Sequence, residues 1–194
     1  MKKKTNYVIL DLDETLISAI EDFDTKYKTK SYNMDDYYMV YERPHLQKFL
    51  DYLFKKFNVI VWTAASKDYA LFIIDKILLS KDNRKLDYIF FRYHCDISKK
   101  YQHGSKNLHL LWDDYNIHGL TPFNTIIIDD YDEVHKIQEG NCVIAEEWDV
   151  TKEDSDKDEY FLRLIPLLDK FNKSQRKNPA KKINKALKSD SSPL

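Results

Sequence analysis

Tyr7-Val8-Ile9-Leu10-Asp11-Leu12-Asp13-Glu14-Thr15 is the stretch on which the reading of this chain turns. Four apolar-leaning residues run straight into a carboxylate. A continuous apolar run of this kind suits a strand covered on both faces, as in the interior of a parallel sheet. Side chains alternate along extended backbone, so Asp11 and Asp13 point the same way while Leu12 points into the core. Two carboxylates crowded at a strand end repel each other and favour a cation beside them; hard oxygen ligands favour Mg²⁺. An Asp-x-Asp is a common pattern in a chain with 32 acids, and a solvated loop after a strand is its bland alternative. An EF-hand loop also opens this way, but it needs a preceding helix and a Gly at its sixth position, where Leu16 stands.

Further apolar runs follow at Asn58–Trp62, Tyr88–Phe91, Thr125–Ile128 and Cys142–Ala145. Amphipathic stretches lie between them. The first opens with Pro44 at an N1 position and spaces Leu46, Phe49, Leu50, Leu53, Phe54 and Phe57 by three and four. The second starts at the N-cap Ser66 and buries Tyr69, Ala70, Ile73, Ile74 and Ile77. A third covers about 106–115 and a last one about 158–171. Strands alternating with helices predict an α/β fold: a mostly parallel five-stranded sheet with helices on both faces. Residues 18–42, dense in Tyr and acids, read as a short insertion with a small β-hairpin. Residues 149–159 read as an acidic loop. The expected domain spans 1–172, and residues 173–194 lack periodicity and read as a basic, disordered tail.

Charge is distributed unevenly. Residues 170–188 hold eight Lys or Arg and no acid, whereas residues 1–169 hold 23 basic and 31 acidic side chains, a net of −8. The bland reading of the basic tail is a solvated extension, with polyanion or nucleic-acid contact as its rival. Three glycines in the whole chain exclude a Walker loop and a dinucleotide fingerprint, so no nucleotide cofactor is expected. Cys95 and Cys142, 47 positions apart, read as reduced thiols of an intracellular protein. Neither begins a Cys-x5-Arg, since Tyr101 and Trp148 stand at the arginine positions. The six histidines show no metal spacing. No apolar run approaches the roughly 20 residues of a membrane span, and no signal peptide is legible, so a soluble chain is expected.

Register raises the value of the first motif. Ligands of parallel α/β sheets sit beyond the carboxyl ends of strands. Asp11, Thr63, Asp129 and Asp130 each follow an apolar run directly, so all of them line one edge, and Lys106, opening the third helix, supplies a positive charge there. Paired carboxylates, a hydroxyl and an ammonium around a metal match what phosphoryl transfer requires. Lys106 read in isolation is a surface lysine at a helix start, and Arg92 in isolation is as well explained by a structural ion pair.

Asp11-Leu12-Asp13-Glu14-Thr15, Trp62-Thr63-Ala64, Lys106 and Asp129-Asp130 together resemble the haloacid dehalogenase (HAD) superfamily. More narrowly they resemble its FCP/SCP-type small C-terminal-domain phosphatases, with Arg43-Pro44, Tyr69-Ala70 and Phe91-Arg92-x-x-Cys95 as further matches over about residues 6–170. The resemblance implies a Rossmann-like HAD fold in which the 18–42 insertion replaces a cap domain. It implies Asp11 as nucleophile, Asp13 as general acid/base, and Thr63 and Lys106 as holders of the transferring phosphoryl. It also implies Mg²⁺ held by Asp11, Asp13 (through its main-chain carbonyl), Asp129 and Asp130, with Arg92 and Tyr69 contacting substrate. The implied activity is a protein serine/threonine phosphatase working through an aspartyl-phosphate, on phosphoproteins or phosphopeptides such as RNA polymerase II tail repeats. Two departures stand out: Tyr131-Asp132 follow the Asp pair, and Ala65 stands where Ser or Gly is usual. A phosphatase of small metabolites or nucleic-acid ends and a non-catalytic phosphopeptide scaffold are the rival functions.

Overall fold

A computed structural model describes residues 4–23, 26–173 and 177–190. Its centre is a five-stranded sheet built from β1 (Tyr7–Leu10), β5 (Asn58–Trp62), β6 (Tyr88–Phe90), β7 (Thr125–Asp129) and β8 (Cys142–Ile144), in the order β6-β5-β1-β7-β8. Every pairing is parallel, with Leu10 level with Val61 on one side and Ile128 on the other. The apolar runs make this possible, because alternate residues feed opposite layers. Val8, Leu10, Val59, Val61, Ile126 and Ile128 join one buried cluster, while Ile9, Ile60, Trp62 and Ile127 join another. Helices α1 (Leu46–Lys56), α2 (Lys67–Ile73) and α5 (Tyr160–Asn172) cover the first face; α3 (Arg92–Gln102) and α4 (Asp132–Lys136) lie on the second. The connections run one way from β1 to β6 and the other way to β8, which puts the topological switch point between β1 and β7.

Residues 18–42 form more than a hairpin. β2 (Ile17–Ile20), β3 (Ser31–Met34) and β4 (Tyr38–Glu42) make a three-stranded antiparallel sheet in the order β2-β4-β3. The α1 helix begins later than its sequence pattern indicates: His45, at φ 64°, is the N-cap, and Pro44 stands outside. The expected helix over 106–115 reduces to a π-helical turn at Leu110–Asp114. Helix α3 carries little apolar signal, since its buried positions are a cysteine and a serine, Cys95 and Ser98.

The basic tail is the largest correction. Pro179–Asp190 form a helix, α6, that buries Ala180, Ile183 and Leu187 against the core. Asn184 completes the packing on the edge strand: its Oδ1 accepts from Ile144 N–H at 3.0 Å and its Nδ2 donates to the Cys142 carbonyl at 2.9 Å. One amide thus satisfies the two main-chain groups that a sixth strand would have paired. Residues 174–176 and 191–194, also assigned to a disordered tail, lie outside the described residues. Among the described residues no helix is long and apolar enough to cross a membrane. Asn184→Leu leaves both main-chain groups of β8 unpaired, so urea unfolding should show a loss of about 2–4 kcal/mol.

Candidate active site

The carboxyl edge of the sheet gathers the predicted groups. Asp11, directly after β1, is 6% exposed, Asp129 at the end of β7 is fully buried, and Lys106 is 4% exposed. The Lys106 ammonium donates to Asp11 Oδ1 at 2.5 Å and to Asp129 Oδ2 at 2.7 Å. It does not open a helix. Its backbone is left-handed, with φ 52°, in the turn after α3. A β-carbon at positive φ is costly, and the surrounding bonds hold it there. Gln138 Nε2 donates to the Lys106 carbonyl at 2.9 Å, and Gln138 Oε1 accepts from Leu108 N–H at 2.9 Å. Asn107 N–H donates to Ser98 Oγ at 2.9 Å, and Ser98 Oγ donates to the Gly104 carbonyl at 2.6 Å.

A tight turn after β1 fixes the remaining acids. Leu16 N–H reaches back to the Leu12 carbonyl at 2.8 Å, and Glu14, at φ 58°, donates its N–H to the Ile17 carbonyl at 2.8 Å. This turn carries Thr15 to Asp130: Thr15 Oγ1 donates to Asp130 Oδ1 at 2.8 Å and accepts from Asp130 N–H at 3.2 Å. The Asp13 carboxylate accepts a short hydrogen bond from the Tyr69 hydroxyl. Tyr69 in turn rests edge-on against Tyr38 of β4, with ring centroids 5.8 Å apart. The sequence places Tyr69 only as a substrate-pocket residue; the structure also gives it Asp13 as a partner. Thr63 is fully buried and its Oγ1 accepts from Ala65 N–H at 3.0 Å. Arg92, exposed at the first position of α3, donates from Nε to the Ala64 carbonyl at 2.9 Å, beside the Thr63 loop.

Arg43 and Thr15 received no role from the sequence. The buried Arg43 guanidinium grips Asp158 through two 2.9 Å bonds and donates to the Thr15 and Glu146 carbonyls at 3.1 and 2.8 Å. Its proximity to an aspartate 115 positions away carries no local sequence signal.

Electrostatics define the centre. Burial drives the Asp11 carboxyl well above the usual range, Lys106 opposes that shift, and the Asp129 and Asp13 charges add to it. Asp129 is raised by burial for the same reason, again opposed by Lys106. Burial by itself lowers the Lys106 ammonium, but the two carboxylates against it overcome this and raise it. Burial also raises Asp13, against the Tyr69 hydrogen bond. Asp11, Asp129 and Asp130 each present an oxygen within 4.8 Å of the others. Three carboxylates converge here against one ammonium, and their all-oxygen donor set fits a hard divalent cation such as Mg²⁺. The Asp13 side chain is not among those three; its main-chain carbonyl accepts Thr15 N–H at 2.6 Å. Cavity size does not mark this centre: a 470 Å³ cavity between α5 and α6 has a mostly apolar lining and holds none of these groups.

A sheet of this order with its acids at the switch point defines a class, the HAD-type phosphatases. Residues 6–178 match the model of the NLI interacting factor-like phosphatase family, and the chain belongs to that family. It is 42% identical over 176 residues to the CTD phosphatase-like protein 355R of Invertebrate iridescent virus 6, covering 84% of this chain and 97% of the relative. The protein of the same name from Invertebrate iridescent virus 3 is 38% identical over 184 residues, covering 87% of this chain and 97% of the relative. The solved structure of Fcp1, an RNA polymerase II CTD phosphatase, superposes with a TM-score of 0.55 at 20% identity, covering 97% of this chain and 55% of that one. The fission yeast Fcp1 structure bound to beryllium fluoride also gives 0.55, at 18% identity, with 95% of this chain and 62% of that one covered. These two likenesses confirm the Rossmann-like fold.

If the three carboxylates bind Mg²⁺, the ion stabilises the native state by mass action. At about a hundredfold excess over Kd, Mg²⁺ should raise Tm by roughly 5–10 °C. Asp129→Asn should abolish that shift in a thermal scan with and without EDTA.

Proposed function

We propose that this phosphatase hydrolyses phosphoserine or phosphothreonine in polypeptides, with Asp11 as covalent nucleophile. The observation that carries this reading is the Lys106 ammonium held between Asp11 and Asp129 at 2.5 and 2.7 Å, with Asp13 two residues from Asp11 and engaged separately by Tyr69.

Asp11, Asp129 and Asp130 would hold Mg²⁺, which when bound offsets the mutual repulsion of carboxylate and phosphate. Lys106 orients the Asp11 carboxylate and presents positive charge to phosphoryl oxygens, and Thr63 adds a hydroxyl at the same edge. An Asp11 oxygen attacks phosphorus while the bond from phosphorus to the serine oxygen breaks. Protonated Asp13 gives its proton to that departing oxygen. In the second half Asp13 takes a proton from water, the water oxygen attacks phosphorus, and the bond to Asp11 breaks to release inorganic phosphate. Burial raises Asp13, which suits the donor role in the first half, and Tyr69 fixes which of its oxygens faces the leaving group. Arg92, exposed beside the Thr63 loop, would meet the polypeptide.

A macromolecular substrate is favoured over a small metabolite by the insertion. Its three short strands rest against the core through Val40, Tyr32 and Tyr38 and, among the described residues, make one small sheet in place of a cap domain. Small substrates are commonly enclosed, whereas a polypeptide needs no cap domain over the site. Against a scaffold role stands the full set of Asp11, Asp13 and Lys106.

With Mg²⁺, phosphopeptides should be turned over with higher kcat/KM than phosphosugars or nucleotides. Asp11→Asn should abolish turnover, Asp13→Asn should lower it about 10²–10⁴-fold, and Tyr69→Phe about 10–100-fold. Near-wild-type rates for Asp11→Asn, or a preference for phosphosugars, would overturn the reading.

A further inference from the structure

Lys106 reaches the acids from a turn that its own backbone disfavours. His103, at φ 56°, and Lys106, at φ 52°, are both left-handed residues with a β-carbon, so the turn stands only where neighbours hold it. Part of that hold comes from α3, through Ser98 Oγ, which accepts from Asn107 N–H at 2.9 Å. The rest comes from the segment after β7. Ser105 N–H donates to Glu133 Oε1 at 3.4 Å. Ile137 lies so close to Gly104 that a β-carbon there would stand 2.7 Å from its Cδ1. Gln138 then takes two main-chain groups with one amide, donating to the Lys106 carbonyl and accepting from Leu108 N–H, both at 2.9 Å. Of these contacts, only the Gln138 bond reaches Lys106 itself.

The same segment carries the acids. Asp129 ends β7, Asp130 follows it, α4 spans Asp132–Lys136, and Gln138 stands two residues beyond. One short stretch therefore supplies two of the three carboxylates and grips the turn that brings the ammonium to them. Gln138 is itself fixed on both sides. Its N–H donates to the His135 carbonyl at 3.0 Å, and its carbonyl accepts from Asn141 and Cys142 N–H at 2.8 and 3.0 Å. Helix α6 braces the loop that follows, with Ala180 N–H donating to the Gly140 carbonyl at 2.9 Å and Asn184 to the Cys142 carbonyl. Family similarity ends at residue 178, so this brace lies beyond the matched region. The place of Gln138 needs a donor and an acceptor on one side chain; a carboxylate offers only the acceptor, and an alkyl chain neither.

We propose that Gln138 is a positioning residue for phosphoryl transfer: it holds the Lys106 ammonium where the transferring phosphoryl group will lie. The inference rests on the phosphoryl-holding role given to Lys106 above, and it adds the group that puts that ammonium in place. A misplacement of about 1 Å in such a group costs on the order of 10²-fold in rate. The loss falls on the chemical step, since the interaction concerned is made in the transition state.

The test is hydrolysis of p-nitrophenyl phosphate at saturating Mg²⁺ and well below Tm, with folding of each variant checked by circular-dichroism melts. Gln138→Leu should lower kcat about 10–100-fold while changing KM by less than about threefold. Gln138→Glu keeps the bond to Leu108 and loses the donor to the Lys106 carbonyl, so its kcat should fall between Gln138→Leu and wild type; it carries the comparison if Gln138→Leu does not fold. In a Lys106→Ala background Gln138→Leu should cause no further loss, because it acts through a side chain already removed. A lowered Tm with wild-type kcat in the folded variants, or a loss that multiplies with that of Lys106→Ala, would overturn the inference. Near-wild-type kcat for Lys106→Ala would instead overturn the role of Lys106, and this inference with it.

Discussion

A buried ammonium between two buried carboxylates is the constraint around which this molecule is arranged. Lys106 bridges Asp11 and Asp129, which end or follow adjacent parallel strands, so the sheet register and the ion cluster specify each other. Desolvating three charges is expensive, and such an arrangement stands only where each group has further partners. Tyr131 N–H supplies one to Asp129 at 2.9 Å, and Gln138 and Ser98 hold the strained turn that delivers Lys106. The three carboxylates that converge there against one ammonium form an all-oxygen set that would suit a divalent cation.

Arg43 ties the surrounding pieces together. It stands at the exit of the insertion, contacts the turn after β1 through Thr15, reaches the segment after β8 through Glu146, and pairs with Asp158 ahead of α5. Its guanidinium also lies 4.5 Å from the centroid of the Tyr160 ring. Planar, five-donor geometry is what lets one side chain serve all of these partners, and lysine lacks it. The insertion is thereby fixed to the turn after β1, with Tyr38 placed to support Tyr69 and, through it, Asp13.

Much of this was legible because parallel strands buried on both faces must be written as continuous apolar runs. All five runs are strands, and the acids, Thr63 and Lys106 fall at one edge as their positions require. What escaped reading lacked a periodic apolar signature. Helix α3 buries Cys95 and Ser98, and α6 buries only every third or fourth residue among lysines, so both look solvated. Lys106 was placed correctly in space but on the wrong backbone, because a left-handed lysine is stabilised by side chains far away in sequence. Thr15 and Tyr69 gain their partners through distances of 115 and 56 residues, which no local pattern records.

Rapid acid quench of the enzyme during turnover of a phosphopeptide with Mg²⁺, followed by peptide mass spectrometry, tests the central assignment most directly. The account predicts a hydroxylamine-sensitive phosphoryl group on the peptide containing Asp11, absent when Asp11 is replaced by Asn. Phosphate found on another residue, or turnover in which the Asp11 peptide never carries phosphate, would contradict it.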